Sequence, residues 1–219
     1  MRPWRSNHRS AQSIRPIRPL ILIVVTLLIS GCGKVKSTND TPPEVRAAKS
    51  ATAAVTVFDL AGQPVDPFEA AGIKALVFLF VSTDCPISNR YAPEIRRMAE
   101  EFSKSGVRFR VVYPDADTSP DAIRQHLKEF QLPPEPLRDP KHNLVGLGQI
   151  QVTPEAAVFL PDRRLVYHGR IDDRYADLGR ERPEAAQHDL RDALQAILLG
   201  KPAPTAYARA VGCYIADPK

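Results

Sequence analysis

The chain has 219 residues, 43% of them apolar and 25% charged, with a formal net charge of +5. Arg2, Arg5, Arg9, Arg15 and Arg18 precede any acidic residue, and without them 25 basic residues balance 25 acidic ones, so the charge does not argue for a nucleic-acid partner. Three cysteines with neither a CxxC pair nor clustered histidines argue against a zinc site, and no cofactor is implied.

Residues 1–31 read as a signal peptide rather than as part of the fold. The arginines lead into the apolar run Leu20 to Ile29, which is too short to cross a bilayer as a stable helix but suits a signal core. The run ends in Leu28-Ile29-Ser30-Gly31-Cys32, which resembles a bacterial lipobox. That resemblance implies lipidation at Cys32, an exported chain and a membrane anchor facing the periplasm or the cell exterior. A plain secretory signal or an uncleaved anchor are the alternatives. Residues 32–54, rich in Lys, Ser, Thr, Pro and Ala without apolar periodicity, read as a flexible tether. The remainder, about 165 residues, fits a single domain with an ordinary core.

Val55 to Leu60 predicts a short strand, and Ala61-Gly62-Gln63-Pro64 a turn. Ala75 to Val81 is a continuous apolar run of the kind buried on both faces of a parallel sheet. It meets Ser82-Thr83-Asp84-Cys85-Pro86, after which Tyr91, Ile95, Met98 and Phe102 recur at helical spacing. The sulfur of Cys85 therefore falls near a helix N-cap with Pro86 at the first helical position. Unpaired amides and the positive end of the helix dipole favour thiolate there, which makes redox chemistry at Cys85 the leading expectation, while Asp84 opposes it.

Val107, Phe109 and Val111 alternate with Arg108 and Arg110 in a strand ending at Tyr113-Pro114. Ser119-Pro120 opens a helix whose inner face carries Ile123, Leu127 and Phe130. A short helix is expected near Pro140 to Gly148, a hairpin from Ala156 to Leu160 and Leu165 to Tyr167, and a last helix on Leu190, Leu194, Ile197 and Leu198 closed by Gly200. The order β, β, α, β, α, β, β, α describes a mixed sheet with helices on both faces. The domain spans 55–200, and residues 201–219 form a C-terminal tail carrying Cys213.

That order, with a cysteine ending the second strand, resembles the thioredoxin fold: α/β, a central mixed sheet flanked by helices. Pro93, eight residues after Cys85 inside the helix, matches the helix proline of thioredoxins and should kink the backbone. Gln151-Val152-Thr153-Pro154 resembles the cis-proline loop that faces the active sulfur in that superfamily. X-Pro bonds are cis only ~5% of the time, so a cis Pro154 is what the resemblance implies. Four motifs, namely Thr83 to Glu94, Thr153 to Phe159, Tyr167 to Tyr175 and Val211 to Ile215, resemble the peroxiredoxin-like redoxins of the alkyl hydroperoxide reductase and thiol-specific antioxidant branch. Ser88 stands where a thioredoxin has its second cysteine, so a local disulfide is excluded. Phe78 and Ser82 stand where peroxiredoxins carry proline and threonine. Ser82 keeps a hydroxyl for a peroxide oxygen, and the missing proline leaves the thiolate less shielded.

The resemblance implies an exported, membrane-tethered thiol oxidoreductase of peroxiredoxin type. Cys85 would be oxidised by peroxide to a sulfenic acid, Cys213 would condense with it, and an external thiol reductant would restore both. Arg170, on the strand next to Pro154, is a candidate to lower the Cys85 pKa, with a surface ion pair to Asp172 or Asp173 as its alternative. Cys213 is otherwise a static disulfide partner or a free thiol. His126, His142, His168 and His188 are scattered along the chain and read as exposed or structural. Two other functions remain open: thiol–disulfide exchange on exported proteins, with a substrate strand beside Thr153-Pro154, and a non-catalytic thioredoxin-fold binding module.

Overall fold

A computed structural model describes residues 55–69 and 71–218. The signal peptide and the whole tether, Cys32 included, lie outside the described residues.

Strand β3 (Ala75–Phe80) is the axis of the fold, and every one of its residues is buried. Its alternation divides two cores. Ala75, Val77 and Leu79 join Val81 in the core under helix α1 (Pro86–Ser103), helix α2 (Pro120–Phe130) and helix α4 (Asp189–Leu198). Leu76, Phe78 and Phe80 point the other way, into a core shared with helix α3 (Asn143–Gly148). There Phe68, Phe78 and Phe159 meet edge to face at 5.2–5.7 Å. Each fully buried large side chain of these layers is worth about 1.5–3 kcal/mol of transfer free energy.

Strand β4 (Val107–Tyr113) lies parallel to β3 on one side, and strand β7 (Glu155–Phe159) antiparallel on the other. Strand β8 (Leu165–Gly169) completes the hairpin with β7. Strands β1 (Val57–Phe58), β2 (Pro64–Val65) and β5 (Leu137–Arg138) extend the far side, and β11 (Tyr207–Ala208) pairs parallel to β8. The main sheet runs β11-β8-β7-β3-β4-β5-β1-β2, mixed and flanked by helices, a thioredoxin-like arrangement. Two small ladders stand apart from it: β9 (Tyr175–Asp177) with β10 (Arg180–Glu181), and β6 (Val152–Thr153) with β12 (Cys213–Tyr214).

The expected long elements are all present, with shorter ends. The first strand stops at Phe58 because the Asp59 carboxylate accepts the Ala61 and Gln63 amides and turns the chain. Helix α2 begins as expected: the Ser119 hydroxyl accepts the Ala122 amide at 3.2 Å, with Pro120 in the first turn. Helix α1 continues through Pro93 as one element. The segment after 200 differs from the tail expected for it, since β11 joins the main sheet and β12 lies against β6.

Two glycines permit that. A Cβ on Gly169, whose φ is +134°, would stand 2.0 Å from the Ala208 carbonyl oxygen, and one on Gly212 would stand 2.2 Å from the Thr153 carbonyl oxygen. Only glycine allows either backbone approach.

Candidate active site

Three segments meet at Cys85. The buried strand β3 delivers the turn Ser82 to Asp84, in which the Ser82 carbonyl accepts the Cys85 amide at 3.3 Å and the Ser82 hydroxyl accepts the Asp84 amide at 3.4 Å. Cys85 is the N-cap of α1, in extended conformation, with Pro86 immediately inside the helix. The second segment is β6, which leads into the cis peptide Thr153-Pro154. The Cys85 thiol donates to the Thr153 carbonyl oxygen at 3.0 Å. The third is β12, whose Cys213 stands directly opposite Thr153 in the antiparallel register.

Both thiols are free, and they face each other closely enough to perturb one another. Burial alone would push the Cys85 pKa up. The Cys213 thiol, the Ser88 amide, the Ser88 hydroxyl and the Cys213 amide together outweigh burial, so Cys85 is held below the ordinary thiol value of 9.0. As a neutral thiol Cys85 spends its proton on Thr153; ionised, it becomes an N-cap acceptor for the first helical turn. Cys213 moves the opposite way, to about 11, through burial first and then through its hydrogen bond to Cys85 and the charge there. One sulfur is poised to ionise and its neighbour to keep its proton.

Access is equally asymmetric. Cys85 is 1% exposed, whereas Cys213 is half-buried and, with Ser82 and Thr153, lines a cavity of about 360 Å³. The cavity wall continues through Pro114, Asp115 and His142 and along the chain from Tyr214 to Pro218.

Of the residues singled out in the sequence, Cys85, Cys213, Ser82 and Pro154 converge here. Arg170 does not. Its guanidinium is held on helix α4 by Asp189, with Nε 2.7 Å from Oδ2, and by Gln187. Asp172 instead receives the Tyr91 hydroxyl, and Asp173 the Ala186 and Gln187 amides. The ionisation of Cys85 thus depends on a thiol, a serine and backbone amides rather than on an arginine. Asp84, expected to oppose the thiolate, is exposed and bonded to the Thr83 hydroxyl.

In the sequence Ser88 stands out only as the residue that excludes a local disulfide, yet its position three residues after an N-cap is where an amide and a side chain reach back. Gly212 carries a fainter signal, a glycine immediately before a cysteine. His126, expected to be exposed or structural, is 5% exposed and bonded to Asn89, a pairing that no pattern announces between residues 37 apart.

The sequence matches the model of the AhpC/TSA family over residues 46–168, more than half of the chain. No curated protein matches it. A hypothetical protein from Sinorhizobium meliloti 1021 has a similar solved structure: TM-score 0.63, 22% identity, 73% of this chain and 88% of that one covered. An uncharacterized conserved protein from Geobacillus kaustophilus gives 0.61 and 24%, with 73% and 86% covered. Their likeness concerns the fold.

Proposed function

The chain belongs to the AhpC/TSA family and is a thiol oxidoreductase; from that premise we propose that it reduces peroxides through Cys85, with Cys213 as the resolving thiol, outside the cytoplasm and tethered to a membrane through Cys32. The observation that carries this reading is the coupling of the two thiols across the β6–β12 ladder: one favoured as thiolate, its partner kept protonated beside it.

In the first step the Cys85 thiolate attacks one peroxide oxygen. The S–O bond forms, the O–O bond breaks, and the alkoxide or hydroxide leaves and takes up a proton, giving the Cys85 sulfenic acid. The charge on Cys85 is now gone, and so is the hydrogen bond that kept the Cys213 proton in place, so the Cys213 pKa falls back toward the ordinary thiol range. Cys213 then attacks the sulfenic sulfur, forming the disulfide and expelling water. Reduction consumes two thiol equivalents. The donor thiolate attacks the half-buried Cys213 sulfur, Cys85 departs as the favoured thiolate, and the donor's second thiol releases Cys213.

Thiol–disulfide exchange on exported proteins would need the β6 edge for a substrate strand. β12 fills that edge, which favours the peroxidase reading. The third reading, a non-catalytic module, would leave Cys85 unreactive.

The test is mass mapping of the purified protein before and after one equivalent of hydrogen peroxide. A Cys85–Cys213 crosslink is expected. Absence of any modification at Cys85 would overturn the peroxidase reading, and slow sulfonic acid at Cys85 alone would overturn the resolving role. Recovery of the Cys32 peptide from cell membranes with acyl mass attached tests the tether, and an unmodified Cys32 overturns it.

A further inference from the structure

Behind the Cys85 turn runs a chain of side-chain hydrogen bonds, half-buried at Asn89 and buried beyond it, that the peroxidase chemistry does not use. Asn89, in the first turn of α1, donates from Nδ2 to the Thr83 carbonyl at 3.2 Å. His126 Nε2 lies 2.8 Å from Asn89 Oδ1, and the Tyr113 hydroxyl lies 2.8 Å from His126 Nδ1.

The protons along this chain have one arrangement. Only the amide nitrogen of Asn89 can donate to a carbonyl, so its oxygen must face the imidazole. His126 Nε2 therefore carries the hydrogen, Nδ1 offers its lone pair, and the Tyr113 hydroxyl donates to it. Tyr113 is 1% and His126 5% exposed, and the imidazole also packs against the ring of Phe130 at 4.8 Å. Nothing from solvent can substitute easily for a lost partner there. The chain ends on the carbonyl of Thr83, two residues before Cys85, while the backbone amide of Asn89 donates to the Cys85 carbonyl at 3.1 Å. Asn89 thus ties the turn before the sulfur to the helix after it.

We propose that His126 is a positioning residue: through Asn89 it holds the Thr83–Cys85 turn so that the sulfur stays aligned with the Ser88 amide and with Cys213. The inference rests on Cys85 being the reactive thiol. The neutral imidazole this requires is consistent with the burial that pushes the His126 pKa down, against the opposing pull of the Glu129 and Asp84 carboxylates.

The test is site-resolved and needs no turnover: the pH titration of the Cys85 ¹³Cβ resonance in full-length protein carrying labelled cysteine. Asn89→Leu, at a half-buried helix position, severs the chain at its last link, and His126→Phe severs it in the middle. Each is expected to leave about tenfold less Cys85 thiolate at a given pH below the midpoint. The double variant should shift the titration no further than either single one, because both cut the same chain. His126→Gln, whose amide can still donate to Asn89, should restore most of the thiolate. An Asn89→Leu midpoint equal to that of the parent overturns the proposal, as does a His126→Gln protein no better than His126→Phe. If the parent consumes no peroxide but the titrations shift as stated, the peroxidase reading fails and this one stands.

Discussion

Cys213 is the strand partner of Thr153, and the same Thr153 carbonyl oxygen accepts the Cys85 thiol at 3.0 Å. One peptide unit of the cis-proline loop therefore sets the distance between the two sulfurs, which makes their chemistry interdependent. Removing the Cys213 side chain should be felt at Cys85 before any oxidant arrives. Cys213→Ala deletes a donor to the Cys85 thiolate, so the Cys85 pKa should rise, whereas Cys213→Ser keeps an O–H donor and should preserve most of the lowering. Thiol titration followed at Cys85 checks the difference; equal values for the two variants would show that the Cys213 thiol is not a donor. Both variants should overoxidise under excess peroxide, since neither can close the disulfide.

The two close-approach glycines separate stability from chemistry. Gly169→Ala puts a methyl group on the Ala208 carbonyl within the main sheet, at a φ that disfavours any Cβ, and should cost about 1–3 kcal/mol in denaturant unfolding. Gly212→Ala pushes β12 off Thr153, at a two-residue ladder outside the main sheet. It should slow Cys85–Cys213 disulfide formation by about tenfold or more, the sensitivity expected when reacting groups are misplaced by an ångström, while shifting the unfolding midpoint less than Gly169→Ala does. Stopped-flow thiol loss and chemical denaturation on the two variants decide it. A Gly212→Ala protein that forms the disulfide at the parent rate would mean that the β12 approach is not what brings the sulfurs together.

Much of this was legible in the chain, for physical reasons that differ from element to element. The strand at 75–80 announced itself as a continuous apolar run and the helix after Cys85 through its periodicity, and the N-cap position of the sulfur followed from its place between them with Pro86 next to it. The ladder β6–β12 could not be read in the same way, because a two-residue strand has no period and its pairing is fixed by a partner 60 residues away. Arg170 misled for a related reason: it falls just past the end of β8, and the direction of its long side chain is set by Asp189 on a helix that sequence proximity does not connect to it. The imidazole relay was invisible because each of its members is chemically ordinary.

Acid should weaken the fold through the same imidazole. The His126 pKa is depressed by burial below its ordinary 6.5, so between 6.5 and the folded-state value the unfolded chain binds more protons than the native one. Stability is then fully present above pH 6.5 and declines as pH falls below it. His168 is lowered by burial too and adds to the same slope, whereas burial raises Asp139 and Glu155, whose contributions run the other way. These common terms cancel in a comparison of the parent with His126→Gln. The difference in unfolding free energy between the two proteins should be constant above pH 6.5 and shrink below it. A difference that is flat from about pH 8 to about pH 5 would mean that His126 is not held neutral.

Ser88 offers the most direct rewiring. Its side chain already reaches the Cys85 sulfur, and its hydroxyl accepts the Ser82 amide at 3.5 Å, so it sits between the turn and the sulfur. Ser88→Ala should raise the Cys85 pKa modestly, since the Ser88 amide remains. Ser88→Cys places a new thiol about one helical turn from Cys85, closer in sequence than Cys213 and inside the same helix. Under mild oxidation a disulfide between Cys85 and the introduced thiol should form in competition with Cys85–Cys213, because closing a loop of a few residues costs less chain entropy and needs no movement of β12. Mass mapping of the oxidised variant distinguishes the two bridges. If only Cys85–Cys213 is found, the side chain at position 88 does not point at the sulfur, and the lowering of the Cys85 pKa must come from the Ser88 amide and from Cys213.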